Sequence, residues 1–149
     1  MVKPDAVDVR VGTSGYSYSD WLDVFYPEGV SSANYLTYYS SCFSTVELNF
    51  SYYRMPTSKQ LSGMLARSGP GMDFSIKAHE SFTHRIEPST WMDSIREYRN
   101  SLAPLLEDGR LASVLCQFPY SFHYASDNRR YLHRLLTELT ELPLVVEFR

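Results

Sequence analysis

The chain has 149 residues, 44% of them hydrophobic, 15% aromatic and 21% charged, with a formal net charge of −3 at pH 7. That is an ordinary soluble composition, long enough for one domain with a sizeable core. The slight acidity supplies no global field to gather nucleic acid, which weighs against such a partner while leaving a local basic cleft open.

Taken in chain order, "VDVRVGTSG" (7–15) reads as a first strand that runs into a small, polar "GTSGYS". Residues 32–43 place Tyr35, Leu36, Tyr39 and Phe43 at helical spacing. A second strand, "STVELNF" (44–50), follows. The segment 57–69 opens with Thr57 and Gln60 as a capping box and closes on Gly69. "DFSIKAH" (73–79) is a third strand, and 89–109 is a longer helical region that Pro104 breaks or kinks. After a fourth strand, "LASVLCQFP" (111–119), a helix over 126–142 starts at a Ser/Asp cap and repeats leucine at 132, 135, 136 and 139. "LPLVVEFR" (142–149) is the fifth strand.

Strict β-α alternation, with strands recurring every ~30–38 residues, points to a parallel sheet covered by helices. Parallel strands buried on both faces are nearly all apolar, yet four of these turn polar near their carboxyl ends. Strand two carries Glu47 and Asn49, strand three Lys77 and His79, strand four Gln117, and strand five Glu147 and Arg149. Each i, i+2 pair shares one face of its strand. In parallel α/β folds the ligand site lies at the carboxyl ends of the strands, so these residues are expected to line one site. The plainer alternative is a solvated rim of paired charges.

A closed (β/α)₈ barrel takes about 200 residues or more, whereas a five-stranded doubly wound sheet fits this length. The stop at a polar strand tip nevertheless favours an incomplete TIM-type barrel, whose open edges at strands one and five invite self-association. No apolar run is long enough for a membrane span, and Met-Val-Lys-Pro-Asp lacks the apolar core of a signal. Cys42 and Cys116, among apolar neighbours, read as buried thiols of a cytoplasmic protein.

The segments "VGTSGYSYSDW" (11–21), "YYSSCFSTVELNFSYYRMP" (38–56), "FSIKAHESFTH" (74–84), "LLEDGRLASVLCQFPYSF" (105–122) and "LPLVVEFR" (142–149) together resemble the YecE-like family, domain of unknown function 72. The resemblance implies a TIM-type barrel, with residues 1–149 as a single partial domain lacking the last strands. It implies no established activity. The family commonly reads Glu-Ile-Asn-Ser/Thr-Phe-Tyr-Arg in strand two. "ELNFSYYR" keeps Glu47, Asn49, Tyr53 and Arg54 but places Phe50 where a small residue is usual.

The strand tips supply two carboxylates and a lysine for acid–base work, Glu47, Glu147 and Lys77. Ser14, Tyr16, Asn49, Tyr53, Arg54, His79, His84, Gln117 and Arg149 are the expected ligand contacts, with Trp21 and Phe118 as further aromatic walls. Such a mixed set suits a small anionic or phosphorylated molecule and acid–base or hydrolytic chemistry. The amides of Gly12–Gly15 either touch a phosphate or make a tight turn. "HESFTH" (79–84) fits no standard metal spacing, so no metal or cofactor is assigned, although a divalent ion would suit a His/Glu set. A metal-dependent phosphodiesterase acting on nucleic acid and a non-catalytic binding or scaffold domain are the competing readings. Tyr38 and Tyr39 are expected to pack their helix, Trp91 to anchor its own helix to the sheet, and "RRYLHR" (129–134) to be a solvated face.

Overall fold

A computed structural model describes residues 8–149; residues 1–7, which hold the stretch read for a signal and the start of the expected first strand, lie outside the described residues. Five strands form one parallel sheet in the order β1-β2-β3-β4-β5: β1 (Gly12–Ser14), β2 (Thr45–Leu48), β3 (Asp73–Lys77), β4 (Leu111–Phe118) and β5 (Leu144–Phe148). The helices are α1 (Tyr35–Cys42), α2 (Phe50–Tyr53), α3 (Ser58–Arg67), α4 (Trp91–Glu107) and α5 (Ser126–Glu138). None of the described helices is long and apolar enough to cross a membrane.

The chain advances one strand at a time and never reverses, so the sheet has no switch point of the doubly wound kind. Period-two alternation then divides the sheet into two unlike faces. Val46, Leu48, Phe74, Ile76, Val114, Cys116 and Phe118 are buried against Leu36 and Tyr39 of α1, Leu61 and Met64 of α3, Ile95 and Leu102 of α4, and Leu135 of α5. The other face carries Glu47, Ser75, Lys77, Ser113, Gln117 and Glu147, with Ser113 Oγ donating to Ser75 Oγ at 2.9 Å. One helix-covered face and sequential strand order are compatible with an arc of a TIM-type barrel.

Several local expectations need correction. The first strand is three residues rather than nine, because β2 offers partners only from Thr45 on; Val9 and Val11 are exposed. Gly12 is required there: a Cβ would lie 2.0 Å from the Thr45 carbonyl oxygen. Strand two stops at Leu48 rather than residue 50. Asn49 turns helical, and the buried Ser51 hydroxyl donates to the Lys77 carbonyl at 2.6 Å, tying α2 across the ends of β2 and β3. The Thr57–Gln60 capping box is present, but α3 ends at an extended Ser68 and Gly69 makes no left-handed cap. The N-cap of α5 is Ala125, without a side-chain bond, and Ser126 and Asp127 lie inside the helix.

Pro104 sits within α4 without ending it. Proline leaves the carbonyl four residues earlier without its helical donor. Here that carbonyl, of Asn100, accepts from Ser58 Oγ of α3 at 2.9 Å. Trp91 anchors α4 to α5 rather than to the sheet alone: its indole N–H donates to Tyr131 Oη at 3.0 Å, and the Arg134 guanidinium lies 4.6 Å over its ring. Tyr39 does more than pack. Its hydroxyl accepts from the Thr13 amide at 2.8 Å and donates to the Thr45 carbonyl at 3.1 Å, stitching β1 to β2. Cys116 is buried as expected, but Cys42, on the last turn of α1, is exposed; both are free thiols.

Candidate functional site

The polar face ends in a cavity of about 620 Å³ at the carboxyl ends of the strands, lined by Ser14, Tyr18, Glu47, Asn49, Tyr53, Lys77, Leu115, Gln117, Glu147 and Arg149. The register explains the grouping. Ser14 lies directly opposite Glu47, and Gln117 directly opposite Glu147. Lys77 stands on β3 between these two pairs.

Two hydrogen-bond relays run through the cavity wall, each ending on a glutamate. In the first, Asn49 Nδ2 donates to Ser14 Oγ, which donates to Glu47 Oε1 at 2.8 Å. In the second, the Lys77 ammonium donates to Gln117 Oε1 at 2.9 Å, and Gln117 Nε2 donates to Glu147 Oε1 at 2.7 Å. Only one orientation of the Gln117 amide serves both neighbours, since an ammonium needs an acceptor and a carboxylate needs a donor. Arg149 Nε lies 3.5 Å from the same Glu147 oxygen. The Lys77 ammonium also sits 4.7 Å over the ring of Tyr52. Among the described residues no carboxylate forms an ion pair with Lys77, so its charge is met by an amide and a ring.

Of the residues expected from sequence, Ser14, Glu47, Asn49, Tyr53, Lys77, Gln117, Glu147 and Arg149 come together. The others lie elsewhere. Tyr16 packs against Tyr39, with ring centroids 6.1 Å apart, and burial raises its pKa. Arg54 follows α2 on the exposed surface. His79 starts a short 3-10 turn, where its Nδ1 accepts from the Ser81 amide at 3.3 Å; burial holds the imidazole below its ordinary pKa. His84 packs edge-on against Tyr52 at 5.1 Å and is not among the residues that line the cavity. Its pKa is lowered by burial first and then by the charge of Lys77. Phe118 has the wrong parity for the cavity and belongs to the helix-covered core. Trp21 packs between Tyr18 and Phe25.

The "GTSG" stretch is β1 and the glycine that follows it rather than a tight turn, and two of its amides are already engaged: Thr13 N–H donates to Tyr39 Oη, and Gly15 N–H to the Glu47 carbonyl at 2.8 Å. Gly15 holds a positive φ of 88°. Sequence reasoning missed Tyr18, whose hydroxyl donates to the Ser14 carbonyl, and Tyr52 under Lys77. Tyr52 had a signal in the tyrosine pair following "ELNFS"; Tyr18 had none. Among the described residues no group of three or more His, Cys, Asp or Glu converges as a metal set would.

The family described as Protein of unknown function DUF72 matches residues 10–149. The chain belongs to this family, for which YecE-like is a synonym. Over 145 residues this DUF72 chain is 29% identical to the UPF0759 protein YunF of Bacillus subtilis (strain 168), covering 95% of the chain and 50% of that protein. A crystal structure of a DUF72 family protein from Thermotoga maritima MSB8 superposes with a TM-score of 0.76 at 36% identity, covering 94% of the chain and 55% of that structure. A DUF72 family protein from Enterococcus faecalis V583, at 22% identity and a TM-score of 0.77, shows the same fold over 94% of the chain and 51% of its own. The chain spans about half the length of the relatives it matches.

Proposed function

We propose that this DUF72 chain binds a small anionic or phosphorylated molecule at the carboxyl ends of its strands and performs acid–base or hydrolytic chemistry on it. The observation that carries the reading is the pair of relays, which hold two glutamates on either side of an ammonium that has no carboxylate partner among the described residues. An ammonium met only by neutral groups attracts an anion. Each glutamate has one oxygen, Oε1, fixed by a relay donor. The other oxygen remains to take or return a proton at the ligand. In this reading Lys77 holds the anion and steadies charge that develops beside it, while Glu47 and Glu147 exchange protons with groups on opposite sides. Arg149 steadies Glu147 and widens the positive region.

The whole protein, in this reading, closes a TIM-type barrel of which residues 8–149 form one arc, and further strands add residues to the same mouth. Two free thiols suit the reducing cytoplasm as its location. The test is calorimetric titration with glycerol 3-phosphate. Saturable binding that weakens at least about tenfold in Lys77→Ala, with the fold intact by circular dichroism, supports the site. Equal affinity in the two proteins would move the anion elsewhere and sink the assignment.

A further inference from the structure

We propose that the ligand is a polyhydroxylated anion, a sugar acid or a sugar phosphate, with its anionic group on Lys77 and its hydroxyls on Glu47, Asn49 and Glu147. The inference rests on the anion-site reading above and narrows it. A compact inorganic anion is a poor match for this cavity, because the same wall presents two carboxylates that repel it. A ligand that satisfies both signs must carry hydrogen-bond donors at some distance from its negative group.

Hydroxyls fit those donors better than an ammonium. The first relay uses one N–H of the Asn49 amide and one oxygen of Glu47. Asn49 therefore keeps its Oδ1 and a second N–H, and Glu47 its other oxygen, on two cavity residues that share Ser14 Oγ as a partner. A spare donor and a spare acceptor thus belong to one stretch of the cavity wall, and a ligand hydroxyl, which both gives and accepts, suits such a wall. An ammonium only donates and leaves the amide hydrogen unanswered. Tyr18 and Tyr53 line the same cavity, so aromatic surface is at hand for the C–H groups of a sugar. A volume of about 620 Å³ lies within the ordinary range for small-molecule sites, roughly 300–1,000 Å³.

The experiment compares equilibrium affinities of the chain for inorganic phosphate, phosphoethanolamine, glycerol 3-phosphate, glucose 6-phosphate and gluconate, in the natural sequence and in Glu47→Gln. Glucose 6-phosphate or gluconate should bind at least about tenfold more tightly than inorganic phosphate, and Glu47→Gln should remove most of that advantage without weakening phosphate itself. Whichever of the two sugars binds better separates a phosphate from a carboxylate as the anionic group. If all the anions bind alike, the anion site stands and the polyhydroxyl inference falls. If phosphoethanolamine exceeds glycerol 3-phosphate, an ammonium is the preferred donor and the inference is equally overturned. If none of the anions binds, the site reading and this inference fail together.

Discussion

The two faces of the sheet are written in alternate letters of the same strands, yet they obey different chemistry. On β2 and β3, Val46, Leu48, Phe74 and Ile76 are buried to within 2% of full exclusion from solvent, while Glu47 and Lys77, next to them in the chain, face the cavity. The apolar face is filled from four helices and accounts for the burial. The polar face contributes little apolar area and spends its side chains on directed hydrogen bonds. Stability and chemistry are thus separable by parity within single strands, and a substitution should report on one or the other according to its face.

The largest effect tests the buried face. Phe74→Ala should cost about 3–5 kcal/mol, since a fully excluded ring leaves a cavity that the packed helices cannot refill. Urea denaturation measures it, and a loss under about 1 kcal/mol would mean that the face is not the tightly packed core described. Gln117→Leu comes next and probes the border between the faces. It removes the amide joining Lys77 to Glu147 at a position only 9% exposed. The expected cost is about 1–2 kcal/mol, because both ions keep access to water, together with weaker anion binding. Unchanged binding would show that the relay does not position Lys77.

A smaller effect concerns pH. Burial holds His79 neutral, outweighing the opposite pull of Glu80 and Glu97, and His84 behaves likewise. A histidine with a lowered folded pKa binds protons less readily folded than unfolded. Stability should therefore fall as pH drops below the ordinary histidine value of about 6.5 and be fully present above it. His79→Gln should flatten that slope in denaturation curves taken between pH 7 and 5, leaving the part due to His84. An identical slope in the variant would remove His79 as a source. The smallest effect is Tyr98→Phe. Its hydroxyl is buried with no hydrogen-bond partner among the described residues, so removing it should leave stability unchanged or slightly raised.

The features legible in sequence were those set by local periodicity. β3, β4 and β5 fall within two residues of their expected bounds, and polarity at the carboxyl ends of the strands, with strand parity, grouped Glu47, Lys77, Gln117, Glu147 and Arg149. What stayed hidden depends on partners distant in the chain. The α2 turn exists because Ser51 reaches the Lys77 carbonyl, 26 residues away. The continuation of α4 through Pro104 depends on Ser58, which belongs to another helix. His79 has the same parity as Lys77 in the sequence, but β3 ends at Lys77, and a new turn then carries the imidazole away from the cavity. Asn49 shows the reverse case. It left the strand on which its parity was argued and still reached the site, through Ser14 on β1.

Gly12 brings β1 close enough to Thr45 for Ser14 to meet Glu47. In the language of mutational scanning, this glycine would score beside the glutamate it serves, although it brings no functional atom to the cavity. The two would be told apart by what else changes. A side chain at Gly12 forces β1 away from β2 and lowers fold stability along with the proposed anion binding, whereas a neutral amide at Glu47 leaves the strand pairing untouched. A map drawn from ligand binding alone would therefore mark a strand spacing as though it were a contact in the cavity.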